Sequence, residues 1–510
     1  MPFNLIEDPW IPIRTLDGAV RKIQPHQIAE KGVAALDWHR PDFNFACLEF
    51  LIGLVTCAAP PQSHGDWLKR RNPDPSELQH SFEPLVPAFN LDGEGKRFLQ
   101  DFDELDTVPN PVDMLFIDSA GESTAKKNQD LHVKRNRYES LTLSEAAMAL
   151  YTFQSQAPAG GAGNRTSMRG GGPLITLLEP GQSSVRPLWD MVWLNVPESK
   201  PVDSSRLTEY FPWLRPTVRS NDKQEVVPPK DARGMVPPET FFGMPRRLRL
   251  DFSDDKSTRV VSVRQVNYGT NYAQWRHPLT PYYQTKAGGE WLPMHPRPGN
   301  HGYRNWEGVL FERQDGLRHV AQCVTLGKKR IQSNAEPRLL VGGWSMDNMK
   351  PRDFLWSRLP FFRLDQDAQD RVLDFVEAAN AFCLALTGAI GDIAGVDTAK
   401  SVFIDKIKEE YYSASQQDFE NTVKALGCHG YSVEMAEKWR DVLRRIALGL
   451  FEREALPGLS TRTPQEIETI VNAHGRLQAA FNGYGNKTGK AAFRVLGLAL
   501  PRRKKKESTA

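Results

Sequence analysis

The segment QAPAGGAGNRTSMRGGGP, residues 156–173, places six glycines among polar and basic side chains. Glycine lacks the Cβ that would hold a ligand away from the backbone, and it adopts positive φ without strain. Arg165 and Arg169 add forked donors that suit phosphates and the edges of bases. The composition therefore predicts a surface that an anionic partner approaches closely. A flexible linker between two elements is the alternative that the composition leaves open.

The elements on either side of this glycine-rich segment restrict the kind of anion site. A helix is predicted before it, from the capping box Thr142-x-x-Glu145 through Phe153, and the apolar strand Leu174–Leu178 is predicted after it. Dinucleotide and P-loop motifs need the opposite order of strand, loop and helix. The Gly-Lys-Ser/Thr ending of a P-loop is also absent from the sequence. These features argue against a mononucleotide site.

Two further loops could contact an anionic partner. The segment 126–137 carries five basic residues, and its alternative is an ordinary solvated surface. The run GGWSMDNMKP, residues 342–351, follows the apolar strand Leu339–Val341 and combines paired glycines with two methionines, an amide and a lysine. We expect the glycines to form a sharp bend and the run to protrude. A hairpin tip that packs on a neighbouring domain is the alternative.

Residues that could support catalysis are sparse. His277, His295 and His301 have no second histidine, cysteine or paired carboxylate at ligand spacing. Packed or hydrogen-bonded histidines are therefore expected, with no metal and no cofactor. A metal-dependent nuclease, or a nucleotide-binding enzyme that uses the glycine-rich segment for phosphate, is the competing hypothesis.

The composition, 510 residues of which 40% are hydrophobic and 25% charged, is sufficient for two or more domains with ordinary cores. The five cysteines are scattered and odd in number, so we expect reduced thiols. The start MPFNLIEDPW lacks the features of a signal peptide, and no uninterrupted apolar run reaches the length of a membrane span. A cytoplasmic protein without a membrane partner is expected. The net charge of +3 does not by itself indicate a nucleic-acid binder.

The periodicity predicts an α+β protein with a large mixed α/β N-terminal domain, residues 1–363, a C-terminal four-helix bundle, residues 364–500, and a basic tail, residues 501–510. In the first domain we expect an N-terminal hairpin in which Pro12 marks an edge strand, and a buried helix over residues 43–58. Past residue 364 tryptophan and proline become rare and helical periodicity is continuous. The helical segments expected there are 366–391, 404–427, 432–453 and 464–499.

Several short motifs occur together in one order along the chain. They are Asn4-Leu5-Ile6, Pro9-Trp10-Ile11-Pro12, the QAP-glycine-RGG block, Trp275-x-His277-Pro278, Met346-Asp347-Asn348-Met349-Lys350 and the terminal helical segments. In this combination the chain resembles the CasA family, the large subunit of the type I-E CRISPR surveillance complex Cascade. The resemblance extends over nearly the whole chain.

The resemblance implies a non-catalytic subunit that recognises the protospacer-adjacent motif (PAM) on double-stranded DNA and starts duplex unwinding. Its implied partners are target DNA, the CRISPR guide RNA, the other Cascade subunits and a recruited helicase-nuclease. A backbone loop suits this role, because the narrow minor groove admits main chain and presents a degenerate donor pattern. Opening the first base pairs is the difficult step, since guide pairing roughly balances the DNA pairing that it replaces.

The resemblance assigns roles to four sets of residues. The loop that lies in the minor groove corresponds to Ala159, Gly160, Gly161, Ala162, Gly163, Asn164 and Arg165. The polar wedge that separates the first base pair corresponds to Asp347 and Asn348, where the best-known members have glutamine. The loop beside the guide RNA and the PAM-side duplex corresponds to Leu131, His132, Val133, Lys134 and Arg135. The lysine finger corresponds to Asn267, Tyr268, Gly269, Thr270 and Asn271.

Two departures from the family pattern follow. The finger stretch has no lysine, so Asn267 or Asn271 is the candidate donor there. The cysteine cluster that some relatives carry near this stretch is missing, so no zinc is expected.

Overall fold

The computed structural model describes residues 2–119, 126–128, 134–161, 163–181, 185–230, 234–253, 258–297, 299, 301–331, 336–393 and 399–501. Of the predicted site residues, Leu131, His132, Val133 and Ala162 lie outside these ranges, and so does the predicted basic tail beyond Pro501.

The chain divides into two compact units. The first contains Met1–Pro298 and His319–Phe361, and the second contains Gly299–Arg318 and Phe362–Ala510. The prediction assigned residues 299–318 to the first domain, whereas in the structure they group with the C-terminal helices. The last crossing between the units, at residues 361–362, lies close to the predicted division at residues 363–364.

The first unit begins with a small antiparallel sheet. Its strands are β1 (Ile11–Thr15), β2 (Val20–Ile23) and β3 (Val33–Leu36), in the order β2-β1-β3. The predicted hairpin is present, but Pro12 lies in the central strand, so the prediction of an edge strand was wrong. Proline fits there because β3 pairs with β1 from Ile13 onward, and the missing N–H of Pro12 therefore faces the end of that ladder.

Helix α1 (Pro41–Ala58) forms the centre of the core of the first unit. It is buried nearly all round, as expected for residues 43–58, and the Phe50 ring packs edge-on against Trp10, Tyr151 and Phe242. Helix α1 and the helix Gln366–Ile393 of the second unit are long and apolar enough to span a bilayer, but 83% and 61% of their apolar windows are buried inside the protein. This burial is typical of core helices.

The remaining described helices and strands of the first unit follow in chain order. They are α2 (His64–Lys69), α3 (Pro75–Phe82), β4 (Leu141–Thr142), α4 (Leu143–Gln156), β5 (Ile175–Glu179), α5 (Pro187–Asn195), α6 (Leu207–Tyr210), β6 (Arg247–Phe252), β7 (Arg259–Val266), β8 (Tyr282–Tyr283), β9 (Leu292–Pro293), β10 (Arg318–His319, across the boundary of the units), α7 (Gln322–Arg330), β11 (Arg338–Asp347) and β12 (Lys350–Pro360).

Two antiparallel sheets carry the segments that concern function. In the sheet β12-β11-β5, strands β11 and β12 form a long hairpin. In the sheet β4-β7-β6, strand β7 leads to the predicted finger stretch. Helix α4 leads to the glycine-rich segment and begins with the predicted capping box. The Thr142 hydroxyl accepts from the Glu145 N–H at 3.3 Å, and the Glu145 carboxylate accepts from the Thr142 N–H at 3.0 Å.

The second unit is built on long helices. They are α8 (Gln366–Ile393), α9 (Ala399–His429), α10 (Val433–Ala455) and α11 (Pro464–Phe481), followed by the short α12 (Lys490–Val495). Helix α8 packs against α9, α10 and α11, so the α+β class and the C-terminal helical bundle are confirmed. The fourth helix was predicted to extend to residue 499. Helix α11 ends at Phe481, however, because Gly483 and Gly485 adopt φ of +83° and +88°.

Residues 299–318 supply aromatic side chains to this helical unit. The buried Tyr303 ring stacks on Phe419 with centroids 4.1 Å apart, and its hydroxyl is hydrogen-bonded to Ser415 at 2.9 Å. Trp306 is also buried, with its ring 5.3 Å from that of Phe419. The segment is therefore part of the core of the second unit.

Candidate nucleic-acid interface

The glycine loop, of which the structure describes residues 158–161 and 163–165, turns back on itself and is exposed at residues 159–161. The Gly160 N–H donates to the Asn164 carbonyl at 3.1 Å, and the Asn164 N–H donates to the Gly161 carbonyl at 2.7 Å. Gly161 and Gly163 adopt φ of +70° and +77°, the left-handed region that favours glycine. Gly161 is exposed, and a Cβ on it would meet no atom within 4 Å. A partner can therefore approach this backbone without displacing protein.

The two limbs of the glycine-rich segment are joined by backbone hydrogen bonds. The Ser167 N–H donates to the Ala157 carbonyl at 3.0 Å, and the Gly172 N–H donates to the Gln156 carbonyl at 2.8 Å. These bonds close a neck below the exposed residues 159–161. A flexible linker would lack such closure, so the structure favours an ordered loop.

The predicted finger stretch lies against the glycine loop. The Gly163 carbonyl accepts from the N–H groups of Tyr268 at 3.1 Å and Gly269 at 3.3 Å. The Gln265 amide, at the end of β7, donates to the Asn164 side-chain oxygen at 2.7 Å. Tyr268 has φ of +63°, unusual for a large side chain; the residue is 48% exposed, and its ring lies beside Gly163. The fold thus presents an aromatic ring at the edge of the glycine loop.

The other residues of the stretch differ in exposure. Thr270 and Gly269 are buried, and a Cβ on Gly269 would collide with the Pro245 carbonyl oxygen. The Asn271 amide donates to the Glu225 carboxylate at 2.9 Å, whereas Asn267 is exposed. Of the two candidate donors, Asn267 is the one on the open surface.

The predicted wedge lies at the tip of the β11–β12 hairpin. Asn348 and Met349 are the two central residues of the turn, with φ of +49° and +62°, the combination of a type I′ turn. Asn348 is exposed, and its amide donates to the Asp347 carboxylate at 3.0 Å. Arg352 is ion-paired with the same carboxylate. The protruding amide expected from the sequence is present.

The paired glycines do not form the predicted sharp bend. Gly342 and Gly343 lie inside β11, which continues to Asp347. Close packing explains them, since a Cβ on Gly342 would lie 2.5 Å from the Phe45 ring and one on Gly343 would collide with the Pro173 carbonyl oxygen. The bend is made by the turn residues further along the chain.

The neck of the glycine-rich segment packs on the strand that carries the wedge. A Cβ on Gly172, which has φ of +62°, would lie 2.7 Å from the Trp344 Cβ and 3.0 Å from the methyl group of Met346. Pro173 meets β11 in the same way at Gly343. The glycine loop, the Tyr268 stretch and the hairpin therefore belong to one connected set of contacts, which we call the three-segment site.

Arg169 does not face an anionic partner, contrary to the expectation that it accompanies the loop. Its side chain is 3% exposed and forms a forked ion pair with Glu49, with N–O distances of 2.6 and 3.0 Å. It also donates to the Thr280 hydroxyl at 3.1 Å. A buried arginine needs such a partner, so Arg169 anchors the neck. Arg165 is half-buried and keeps part of its surface in solvent.

A protein-family model for the CRISPR-associated protein Cse1 matches residues 4–450 of this chain. The chain belongs to the Cse1 family. Its fold is similar to that of CasA from Thermus thermophilus, with a TM-score of 0.70 and 17% identity over 94% of this chain and 100% of that chain. Cse1 from Acidimicrobium ferrooxidans gives 0.68 and 17% over 98% and 99% of the two chains. A chain of a solved CRISPR RNA-guided surveillance complex gives 0.69 and 16% over 94% and 99%.

Of the three candidate histidines of this Cse1 family member, His277 and His301 are buried. His277 is buried, its Nδ1 accepts from the Leu279 N–H at 3.2 Å, and its Nε2 lies 3.7 Å from the Glu49 carboxylate. Burial and the Arg169 charge hold the pKa of His277 well below its ordinary value. His295 is exposed, and its Nδ1 lies 3.3 Å from the Gly172 carbonyl oxygen. Among the described residues, no group of three or more His, Cys, Asp or Glu side chains could hold a metal ion.

Sequence reasoning missed Arg246, which supports the glycine loop of this Cse1 family member from below. Its guanidinium donates to the carbonyls of Pro158 and Arg165, at the two ends of the loop, and lies over the Phe153 ring at 5.3 Å. Burial lowers the pKa of Arg246 to about 10. Within the described residues it has no acidic partner, so its charge is uncompensated. No motif marks Arg246 in the sequence, because only the fold brings β6 under the loop.

The predicted guide-side loop is described in part. Lys134 and Arg135 are exposed, and the Arg135 guanidinium donates to the Asn128 side chain at 3.0 Å. Arg137 is ion-paired with Asp118 at 2.8 Å, which ties the end of the loop to the first unit. The role of this loop beside the guide RNA stays a prediction.

Proposed function

We propose that this chain is the non-catalytic large subunit of a type I-E CRISPR surveillance complex, Cascade. In this role it recognises the PAM on double-stranded DNA, starts unwinding for guide RNA pairing and helps to recruit the helicase-nuclease. Membership of the Cse1 family supports the assignment, as does the similarity to a chain of a CRISPR RNA-guided surveillance complex. The partners are target DNA, guide RNA and the other Cascade subunits.

The observation that carries this proposal is the connection within the three-segment site. The exposed backbone at Gly161 is joined through Gly163 to Tyr268, and through Gly172 to the strand that ends next to Asn348. A duplex read by the glycine loop would have the hairpin tip held at a fixed position relative to it. Recognition and opening of DNA require such a fixed relation between a reading element and a separating element.

Each segment has a physical role in the proposed mechanism. The glycine loop lies in the minor groove, where main chain fits and the donor pattern is degenerate. Tyr268 and Asn267 take the place of the family's lysine, with an aromatic face and an amide at the groove edge. Asn348 enters the step next to the PAM, where unstacking takes only about a few kcal/mol. Guide pairing then offsets the lost DNA pairing.

The competing hypothesis is a metal-dependent nuclease or a nucleotide-binding enzyme. Of its three candidate acids or bases, His277 and His301 are buried and His295 is exposed. A magnesium-dependent cleavage assay on the purified subunit separates the hypotheses. Sustained turnover that is abolished by His277→Ala would support the nuclease.

The direct test is competition binding by the assembled complex between duplexes that differ only in the PAM. We expect Gly161→Asp to weaken binding of the PAM duplex by about tenfold or more, because it places a carboxylate among phosphates. Gly161→Asn is the matched control, since it has the same size and also tolerates positive φ but carries no charge. The difference between the two variants should shrink as salt is raised.

Assembly of the complex is measured in parallel by size-exclusion chromatography. Equal binding by Gly161→Asp and Gly161→Asn would remove the glycine loop from the DNA interface. Equal affinity of the unmodified complex for duplexes with and without a PAM would reject PAM recognition itself.

A further inference from the structure

Positive charge is concentrated near the C-terminal end of the chain. Residues 469–506 contain nine lysines and arginines and no acidic residue, whereas the whole chain contains 65 basic and 62 acidic residues. The rest of the chain therefore has a net negative charge. The described part of this segment belongs to the second unit, whereas the three-segment site belongs to the first. A block of like charges is a frequent mark of an interaction with nucleic acid.

A short amphipathic helix presents three of these basic residues on one face. The π-helical turn Gly485–Gly489 runs directly into α12, and Lys487, Lys490 and Arg494 follow one another at spacings of three and four residues. Residues at these spacings are neighbours on a helix surface. Lys487 and Arg494 are exposed and Lys490 is half-buried, whereas Phe493 on the opposite face is 5% exposed.

An exposed aromatic ring and the end of the described chain border this basic face. Tyr484 directly precedes the π-helical turn and is 47% exposed. A Cβ on Gly483 would lie 2.8 Å from Cδ of Pro501 and 3.1 Å from the Phe493 ring, so the chain returns at Pro501 to the start of this helix. After Pro501 the sequence continues with five consecutive basic residues, RRKKK. We call Tyr484, Lys487, Lys490 and Arg494 the C-terminal basic surface.

The three cations of the C-terminal basic surface are not neutralised by acidic partners within the described residues. Lys490 donates to the neutral Asn486 side chain at 3.1 Å. Helix α8 packs against α12, and Arg440 of α10 lies over the Phe493 ring at 5.9 Å.

The acidic side chains of these neighbouring helices are mostly matched by bases of their own. The matched pairs are Asp374 and Glu377 with Arg313, Asp392 with Arg476, Glu434 with Lys438, Asp441 with Arg440, Glu454 with Arg453 and Glu452 with His474. Asp367, Asp370 and Glu437 are the acids of α8 and α10 that have no ion pair in the described part of the chain. Helix α11 carries its two acids near its start, whereas the π-helical turn follows its end. The uncompensated charge on the α12 face is therefore positive and attracts an anion.

We propose that the C-terminal basic surface binds single-stranded DNA, whose phosphates contact Lys487, Lys490 and Arg494 while a base stacks on Tyr484. Proteins that bind single strands combine cations that follow the backbone with aromatic rings on which bases stack. A duplex keeps its base faces inside its own stack, so an exposed ring beside the cations favours an unpaired strand. Only the origin of that strand rests on the proposed function, because unwinding of target DNA releases one strand that the guide RNA does not pair with.

The test measures binding of a labelled oligothymidylate by the full chain as a function of salt concentration. The triple variant Lys487→Gln, Lys490→Gln, Arg494→Gln should weaken binding by about tenfold or more at low salt. The slope of log affinity against log salt should become shallower by about 2, because three phosphate contacts are lost. The matched control is Lys406→Gln, Lys408→Gln, Lys424→Gln, which removes the same charge from α9 of the same unit and should leave the slope unchanged.

The stacking contact is tested separately at Tyr484. Tyr484→Ala should weaken binding of the oligothymidylate by about fivefold or more without changing the salt slope, because it removes a ring and no charge. Tyr484→Phe keeps the ring and should bind as the unmodified chain does. Equal binding by Tyr484→Ala and Tyr484→Phe would remove the stacking contact from the proposal.

Equal salt slopes for the unmodified chain and the α12 triple variant would overturn the proposal, as would an equal loss in the α9 control. Competition by polyglutamate at lower concentration than unlabelled oligothymidylate would assign the surface to an acidic polypeptide instead. Tighter binding of a duplex of the same length would contradict the preference for an unpaired strand.

The PAM preference of the assembled complex, measured with the same α12 variant, separates this inference from the proposed function. It should be unchanged, because the residues proposed to read the PAM lie in the first unit. Weaker binding of the single strand with an intact PAM preference supports a second DNA contact. A lost PAM preference in this variant would mean that its residues act through the PAM site, which contradicts the inference.

Discussion

Gly172 lies directly against Trp344, so that a Cβ on Gly172 would stand 2.7 Å from the Trp344 Cβ. This contact joins the neck of the glycine-rich segment to β11, the strand that leads into the turn at Asn348. Close-packed contacts of this kind transmit displacement because they do not deform continuously. A shift of the glycine loop would therefore displace the hairpin as well.

Gly172→Ala should destabilise the first unit by about 1–3 kcal/mol, because the added methyl group meets backbone and side chain that cannot retreat. Gly288→Ala is the control, since Gly288 has a similar φ of +72° but open space around its Cβ. The difference between the urea unfolding midpoints of the two variants measures the effect of the clash, because both variants carry similar backbone strain. Equal midpoints for the two variants would show that the Trp344 contact is loose.

Arg246→Met should weaken binding of a PAM duplex by the assembled complex by about tenfold or more, since it leaves the carbonyls of Pro158 and Arg165 without a donor. Binding of a single-stranded target, which has no PAM duplex, should change little. Arg249→Met, which is also a change of a buried arginine and lies in the adjoining β6, controls for general destabilisation. A parallel loss for both targets would mean that Arg246 acts on stability alone.

Asn348→Gly should slow opening of the first target base pair while leaving PAM capture unchanged. Glycine removes the amide but retains the type I′ turn, which needs positive φ. Fluorescence of a base analogue at the first target position measures opening, and a labelled duplex measures capture. Met349→Gly should keep both rates, because it relieves backbone strain without touching the amide. If opening keeps its rate in Asn348→Gly, the wedge lies elsewhere.

The unfolding free energy should fall as pH is lowered below about 6.5, with a slope of up to about 1.4 kcal/mol per pH unit from His277. The folded state keeps His277 neutral because burial lowers its pKa, whereas the unfolded state takes up the proton, so acid favours unfolding. His277→Asn keeps an acceptor near Nδ1 but does not titrate, and should reduce the slope.

The comparison between the two proteins isolates His277 from other buried groups. Burial also lowers the pKa of His295 and His26, so part of the slope should persist in the variant. Burial raises the pKa of Glu49, which contributes the opposite sign at lower pH in both proteins. Urea unfolding at each pH gives the free energy of unfolding of both proteins. If its pH profile is identical for the two between about pH 5.5 and 7.5, on either side of the ordinary histidine pKa, the buried neutral state of His277 is contradicted.

Local signals in the sequence predicted much of the fold. The capping box at Thr142 and Glu145 indicated the start of α4, and the continuous apolar composition of residues 43–58 indicated the buried α1. The edge-strand prediction from Pro12 was wrong because a central strand tolerates proline where its neighbour does not pair with it. The point at which β3 begins to pair with β1 is set by the tertiary fold. The end of α11 was missed because it depends on the positive φ of Gly483 and Gly485, which the apolar periodicity of residues 464–499 does not reveal.

The candidate site was predicted less completely, and for a physical reason. The exposed loop residues could be recognised from glycine content and resemblance, because exposure follows from local composition. Whether a charged side chain stays exposed depends on partners that are distant in the sequence, however. Arg169 is ion-paired with Glu49, 120 positions earlier, and Arg246 reaches the loop from just before β6. The paired glycines at 342 and 343 likewise reflect the proximity of Phe45 and Pro173 rather than a turn.

The place of residues 299–318 within the helical unit limits how that unit can be exchanged between relatives. Tyr303 and Trp306 precede β11 and β12 in the chain, yet their rings contact Phe419. A chimera that joins the first 361 residues of this chain to the helices of a relative would carry mismatched aromatic rings into the foreign bundle. The C-terminal helices can therefore be exchanged between relatives only if residues 299–318 are transferred with them.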